Sequence, residues 1–185
     1  MAGGLARRMG NQDKGLIEFN GYPMIRYAID AMEPVVDNII INANRNRELY
    51  EKFGYPVVAD LNTNFDGPLS GILASMSHAE SELLIVTPCD SPMIKSEHLA
   101  KMIQEHCENN ADIAVAFDGE RLHPVFLVLK TSLIDSLKDY LGAGQRKIDI
   151  WLKQHKLVNV DFSKSPDVFL NINTLVELSE LERQK

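Results

Sequence analysis

Short runs of consecutive apolar residues recur along the chain, separated by longer segments of helical character. The short runs are rich in β-branched residues, which are typical of buried strands. Six runs predict strands, at residues 38–43, 56–60, 83–88, 112–117, 125–129 and 157–162. The intervening segments predict helices at residues 24–32, 48–52, 68–79, 96–108, 132–141, 147–154 and 175–183.

This alternation of strands and helices predicts a single α/β domain. Such a chain builds a doubly wound, mostly parallel sheet with helices on both faces. No internal repeat, low-complexity tract or linker divides the 185 residues. In this architecture, ligands bind beyond the carboxyl ends of the strands.

Small polar side chains follow three of the predicted strands. One strand ends in Asn42 and Asn44, the next in Asp60, and a third is followed by Asp90. Asn and Asp are also common turn and cap residues, so each one alone has a structural alternative. Together they predict a polar site at one edge of the sheet.

The chain opens on a segment suited to binding an anion. Gly3 and Gly4 permit a tight turn that points backbone N–H groups at a phosphate, and Arg8 and Lys14 add positive charge. A solvated basic turn is the alternative. The spacing matches neither the Walker pattern nor Gly-x-Gly-x-x-Gly, because Gly15 stands where the Walker hydroxyl would be.

Composition narrows the function classes. The formal net charge is −7, which argues against nonspecific nucleic-acid binding. No apolar run approaches the length of a membrane span and no signal peptide is recognisable, so we expect a cytoplasmic protein without a membrane or nucleic-acid partner. The two cysteines form no disulfide framework or zinc motif, and Cys89 is interpreted as a small buried thiol.

The string AGGLARRMGNQDKGLIEFNGYPMI resembles the signature of α/β nucleotidyltransferases, approximately Leu-Ala-Gly-Gly-x-x-x-Arg-Met-Gly-x-x-Lys. Within that superfamily, the chain is most similar to the molybdenum cofactor guanylyltransferase family. The stretches NANRN, DGPLSGILASM, PCDSP, DGERLHPVF, LGAGQRK and NINTLVEL resemble that family's motifs, in its order. The resemblance implies a Rossmann-like nucleotidyltransferase fold.

The resemblance also implies roles for individual residues. Lys14, Arg8 and Asp90 would be catalytic, and Asp90 would bind Mg²⁺. Asn42 and Asp60 would hold the guanine or ribose end of the nucleotide. The full set of binding positions it implies is Met1, Ala2, Gly3, Gly4, Lys14, Asn42, Asp60, Gly67, Gly71, Asp90, Asn171 and Asn173.

The implied reaction is guanylyl transfer. The terminal phosphate of metal-carrying molybdopterin would attack the α-phosphorus of GTP, releasing pyrophosphate. Related reactions remain open: CTP with the same pterin, an NTP with a sugar phosphate, or a non-catalytic nucleotide-binding assembly protein. Molybdoenzymes or their chaperones are the further partners that the resemblance implies.

The second substrate has candidate contacts in the C-terminal half. Arg121 and His123 precede a strand, Arg146 and Lys147 begin a helix, and Asn171 and Asn173 are alternate residues of an extended segment. Each has a structural alternative: a hydrogen-bonded histidine, a solvated helix end, or a helix cap.

One feature departs from the family pattern. In the family, the glycine loop follows a first β-strand, whereas here Met1 stands where that strand would end. We therefore expect an apolar strand upstream of Met1, with Met1 itself an internal methionine. Without such a strand, two neighbours in the sheet would lack ladder partners and an apolar slot would be exposed.

Overall fold

A computed structural model describes residues 1–2, 13–61, 67–172 and 174–183 of the protein. The strands are β1 (Glu18–Phe19), β2 (Tyr22–Pro23), β3 (Ile41–Asn42), β4 (Val57–Val58), β5 (Leu83–Val86), β6 (Ile113–Phe117), β7 (Leu122–Lys130) and β8 (Leu157–Asp161). The α-helices are α1 (Met24–Met32), α2 (Arg47–Glu51), α3 (Pro68–Met76), α4 (Ser96–Glu108), α5 (Ile134–Gly142), α6 (Ile148–Leu152) and α7 (Leu175–Arg183). Short 3₁₀ helices span Lys14–Leu16, Thr131–Leu133 and Pro166–Phe169.

The main sheet has four strands in the order β5-β7-β6-β8. β6 and β8 are parallel, whereas β7 runs antiparallel to both β5 and β6. The reversal follows from the connection between β6 and β7, a turn in which Gly119 adopts a φ of 100°. So short a link can join only antiparallel neighbours, because a parallel crossover needs a dozen or more residues.

Helices cover both faces of this sheet, and the alternation of side chains along the strands assigns each face its core. Ile113 and Val115 of β6 pack in a cluster with α3, α5 and α6, and that cluster includes the buried Trp151. Ala114 and Ala116, which point the other way, pack against α4 and the end of α1. The near-continuous apolar strands are thus buried on both sides.

A second, two-stranded parallel sheet joins β3 and β4. Within the described residues it shares no strand pairing with the main sheet, so the single continuous sheet that the sequence predicts is a correction at this point. Only the backbone of Met1 and Ala2 connects the two. The amide of Ala2 donates to the Asn42 carbonyl at 2.7 Å, and the Met1 carbonyl accepts from the Cys89 amide at 3.0 Å.

The α/β class and the order of elements are confirmed. The predictions for α1, α4 and α7 match to the residue, whereas β3 and β4 are shorter than predicted and β7 is longer. The two-residue length of β3 and β4 reflects a sheet with pairing on one edge only. No helix in the described part of the chain is long and apolar enough to cross a bilayer.

Candidate active site

A lysine and an aspartate from distant parts of the chain meet near the carboxyl end of β5. Lys14 Nζ donates to Asp90 Oδ2 at 2.8 Å, although the residues lie 76 positions apart. Both side chains are largely sheltered, at 24% and 13% exposure. Such a sheltered pair is screened less by salt than a surface ion pair.

Lys14 is held in place by a neighbour that the motif did not single out. Asp13 is buried, and it accepts hydrogen bonds from the Tyr50 hydroxyl at 2.5 Å and from Asn46 Nδ2 at 3.2 Å. Two charge-assisted bonds fix the start of the 3₁₀ turn that carries Lys14. Asp13 is visible in the sequence beside Lys14, but nothing local to Tyr50 indicates this contact.

Gly15 lets this turn approach the sheet closely. A Cβ at this position would lie 2.6 Å from the Tyr50 hydroxyl and 3.1 Å from Cys89 Sγ, so any side chain would displace one of them. The glycine after Lys14 is therefore a packing requirement. It is a second feature that the sequence reasoning missed.

Asp90 also receives contacts from the segment before α7. Its backbone carbonyl accepts from the Ile172 amide at 2.9 Å, and the hydroxyl of the neighbouring Ser91 donates to Asn171 Oδ1. Ile172 is fully buried. Asn171 therefore lies beside the tip of β5, as the prediction for this residue requires.

A second polar cluster lies at the ends of β3 and β4. Asn42 Nδ2 donates to Asp60 Oδ1 at 2.9 Å, and Asn44 Oδ1 accepts from the Asp60 amide at 2.8 Å. Asn42 is buried and Asp60 is half-buried. The polar residues that follow these two strands thus form one hydrogen-bonded group, whose amide and carboxylate suit recognition of hydroxyl and N–H groups.

Two glycines border the second cluster. A Cβ on Gly71 would lie 2.3 Å from Asn42 Oδ1 and 3.2 Å from the Met1 side chain, so α3 can approach Asn42 only at a glycine. Gly67 precedes α3 with φ 72° and ψ −161°, a backbone conformation available essentially to glycine alone. Both predicted glycines are required by local geometry.

Met1 and Ala2 lie between the two clusters. The Met1 ammonium donates to the Thr87 carbonyl at 2.7 Å, next to the β5 tip, while Ala2 bonds to Asn42. The predicted site residues Gly3, Gly4, Arg8 and Asn173 lie outside the described residues. The site can therefore be described on both sides of the glycine loop but not within the loop.

The donors that could hold a metal ion are few. No group of three or more His, Cys, Asp or Glu side chains able to bind a metal occurs in the described ranges. A single carboxylate is nevertheless compatible with Mg²⁺, which keeps several waters and takes oxygen ligands from substrate phosphates. Asp90 offers that carboxylate.

Cys89 plays no chemical part that its environment supports. Burial raises the pKa of its thiol to about 12, with the Asp90 carboxylate adding to the effect. The side chain is buried between Gly15 and the core around β3. The interpretation of Cys89 as a small buried thiol is confirmed.

His123, a candidate for the second substrate, lies in an aromatic cluster. Its ring stacks on Phe169 with centroids 4.3 Å apart, and Nε2 is 2.6 Å from Asp118 Oδ2. Backbone N–H donors from the 118–121 turn, together with His123, hold the pKa of Asp118 far below its usual range. These contacts favour the structural alternative for His123.

The other C-terminal candidates lie near the surface. Arg121 is exposed and lies 3.6 Å from Asp118. Arg146 donates from Nη1 to the carbonyls of Leu141 and Gln145, which caps the end of α5. Lys147 is exposed, and its carbonyl accepts from a tyrosine hydroxyl. The structure does not bring these three residues to the Lys14–Asp90 pair.

Comparison with known proteins places this geometry in a family. Residues 1–158 match the family described as MobA-like NTP transferase domain. A molybdenum cofactor guanylyltransferase from Shewanella sediminis is 45% identical over 98% of this chain and 92% of its own length. One from Shewanella baltica is 47% identical over 94% of this chain and 89% of its own.

A solved structure is similar in fold. Molybdopterin-guanine dinucleotide biosynthesis protein A from Archaeoglobus fulgidus superposes with a TM-score of 0.79, at 23% identity, over 98% of this chain and 94% of the other. The family match covers most of the residues, and the curated relatives align along nearly the whole chain. The chain therefore belongs to the MobA-like NTP transferase family of nucleotidyltransferases.

Proposed function

We propose that this protein transfers GMP from GTP to the terminal phosphate of metal-carrying molybdopterin, releasing pyrophosphate. The support is twofold. Relatives that are 45% identical bear the name molybdenum cofactor guanylyltransferase. The single observation that carries the chemistry is the 2.8 Å contact between Lys14 and Asp90 beside Met1 and Ala2, where the glycine loop begins.

Lys14 supplies positive charge to the phosphates. The Lys14–Asp90 pair stores the ammonium in a sheltered position when no nucleotide is bound. On binding of GTP, the ammonium exchanges Asp90 for a phosphate oxygen and stabilises the charge that develops on the departing pyrophosphate. Arg8 is assigned a similar role on the resemblance alone.

Asp90 is the residue that would hold Mg²⁺, together with oxygens of the substrate phosphates. The bound ion would neutralise charge on the reacting phosphate and orient it for in-line attack. Release of Lys14 frees the carboxylate of Asp90 for this role. The Ile172 contact to the Asp90 backbone keeps the carboxylate at the strand tip.

No strong general base is required for this reaction. The attacking phosphate monoester is already ionised near neutral pH, because its second pKa is about 6. Catalysis then rests on positioning and on neutralisation of charge. This agrees with a site built of one lysine, one aspartate and small polar groups.

The Asn42–Asp60 cluster would hold the base or ribose end of GTP. An amide and a carboxylate joined at 2.9 Å present both donor and acceptor groups to a ligand. Met1 and Ala2, with the glycines that follow, would contact the nucleotide through the backbone. Asn171 would contact the second substrate from the other side of Asp90, together with Asn173.

The test is a reconstituted transfer reaction. The protein is incubated with α-phosphate-labelled GTP, Mg²⁺ and molybdopterin, and labelled dinucleotide and pyrophosphate are measured. We expect both products in equal amounts, and neither without molybdopterin. Parallel reactions with CTP, or with sugar phosphates as acceptors, test the related transferases. GTP binding without pyrophosphate release would instead support a non-catalytic assembly role.

Cellular context forms part of the same proposal. A GTP-dependent cofactor enzyme of this kind would act in the cytoplasm and deliver its product to molybdoenzymes or their chaperones. Fractionation of the producing cells, followed by immunodetection of the protein, tests the location. Recovery in the membrane fraction would contradict it.

A further inference from the structure

A slot separates β3 from β5. It encloses about 470 Å³ and is lined by residues 36–42 on one side and 83–87 on the other. Ile25 and Ile29 of α1 and Ser75 of α3 also line it. β3 is paired to β4 and β5 to β7, so within the described ranges the edges that face the slot carry no strand.

The backbone of Met1 and Ala2 defines the register of this slot. In a parallel ladder, a residue donates to the residue before its partner and accepts from the residue after it. Met1 donates to Thr87 and accepts from Cys89, which sets it opposite Pro88 on the β5 side. Ala2 donates to Asn42, which sets Ala2 opposite Ala43 on the other side.

Extending this register backwards accounts for the shape of the slot. Five positions ahead of Met1 would lie opposite residues 83–87 on one side and 37–41 on the other. Both stretches lie within the slot lining, and the lining reaches little further in either direction. The slot therefore has the length, direction and hydrogen-bonding edges of one short parallel strand.

The side chains around the slot call for an apolar occupant. Leu83 and Ile85 pack toward the α1 and α4 side of the sheet, while Leu84 and Val86 pack toward α3. All but Val86 remain half-buried, which is unusual for an internal strand. An inserted strand would alternate between the same two sides and would need apolar residues on both.

We propose that the slot binds an extended apolar segment of five residues that runs directly into Met1 and pairs in parallel with both β3 and β5. Covalent continuity is favoured because Met1 is already in register with both strands. A peptide bond at the Met1 nitrogen keeps the N–H that Thr87 accepts and removes an enclosed charge. Burial lowers the pKa of this ammonium, in keeping with that reading.

The test compares three extensions fused ahead of Met1. The first is five alternating Val and Leu residues. The second has the same residues with a central Pro, which keeps the apolar character but removes a ladder N–H that an internal strand needs. The third is a Gly/Ser pentapeptide. The melting temperature of each is measured beside the unextended protein, together with hydrogen exchange at residues 39–41 and 84–86.

We expect the Val/Leu extension to raise the melting temperature by about 10 °C or more, because it buries five side chains. Exchange in both strand edges should slow at least about tenfold. The Pro and Gly/Ser extensions should stay within about 2 °C of the unextended protein. If the unextended chain shows no cooperative transition, only the Val/Leu form should show one.

Equal stabilisation by the Val/Leu and Pro extensions would overturn the proposal, since strand pairing would then be irrelevant. Lack of any rise would overturn it as well. Two other occupants are tested in parallel. A free Val/Leu pentapeptide that stabilises as well as the fused one would contradict covalent continuity, and a dimer of the unextended protein that the extension dissolves would identify a second copy. None of these readouts depends on the proposed enzymatic function.

Discussion

The ammonium of Lys14 lies 2.8 Å from Oδ2 of Asp90 and joins the start of the chain to the tip of β5. The two groups neutralise one another in a sheltered position, yet both are charges that a nucleoside triphosphate and its metal would use. Because the pair must open for that to happen, its members are expected to matter more for turnover than for folding.

Lys14→Ala and Asp90→Ala should each lower the rate of guanylyl transfer at least about a hundredfold. Each removes a charge that stabilises the transition state, an effect of about 3 kcal/mol. The measurement is kcat with saturating GTP and molybdopterin, alongside circular dichroism to check the fold. Lys138→Ala is the matched control, since Lys138 pairs with Asp135 at 3.0 Å on the exposed face of α5. Rates within threefold of the parent protein would contradict the assignment.

Gly71→Ala should weaken GTP binding about tenfold. The added methyl would meet Asn42 Oδ1 at 2.3 Å and force the amide away from Asp60. The dissociation constant for GTP, from calorimetry, is the measurement. Gly142→Ala is the matched control, because a Cβ there meets nothing within 4 Å. Equal affinity in both variants would argue against a nucleotide role for the Asn42 cluster.

Tyr50→Phe should lower the free energy of unfolding by about 1.5–3 kcal/mol. The substitution removes the 2.5 Å hydrogen bond that Asp13 accepts in the core, while the ring keeps its packing. Urea denaturation measures the change. Tyr22→Phe, at a side chain that is 62% exposed, should change stability by less than about 0.5 kcal/mol. A loss of similar size in both variants would show that the Asp13 contact is not responsible.

Stability should fall as the pH is lowered from 7 to 5. His106 is buried, and burial lowers its pKa below 6.5 although the nearby Asp112 backbone partly opposes this. The unfolded chain therefore binds a proton that the folded chain resists, so the contribution is complete above pH 6.5 and is lost as the pH drops below that value. Burial also lowers the pKa of His98 and His155, which adds to the trend.

His106→Leu should flatten this dependence. Denaturant midpoints at several pH values between 5 and 7.5 measure the slope. His78→Leu, which removes an exposed imidazole, serves as the control and should leave the slope unchanged. A slope unaffected by His106→Leu would assign the acid sensitivity to other groups.

The sequence predicted the helices well because their signal is local. The bounds of α1 and α4 follow from apolar spacing and from the residues that flank them, and both match to the residue. The reversal of β7 was not predicted, because a four-residue turn at Gly119 carries no direct statement of strand direction. The lengths of β3 and β4 were overestimated, since strand length depends on pairing with neighbours.

The residue types of the candidate site were readable in the chain, but their support was not. Lys14, Asp90, Asn42 and Asp60 stand in motifs or at strand ends, where the architecture predicts a site. The contact of Tyr50 with Asp13 joins residues 37 positions apart, and no periodicity reports such a pair. His123 was ambiguous until its stacking on Phe169 was visible.

Local pattern and residue chemistry were enough to establish the α/β class, the element order and the types of group that a nucleotide would meet. Tertiary packing alone decided that Lys14 pairs with Asp90, that Gly15 and Gly71 are sterically required, and that an open strand seat lies between β3 and β5. The reason is physical. Helix and strand preferences arise from neighbours along the chain, whereas ion pairs, close approaches and unpaired sheet edges arise from segments that only folding brings together.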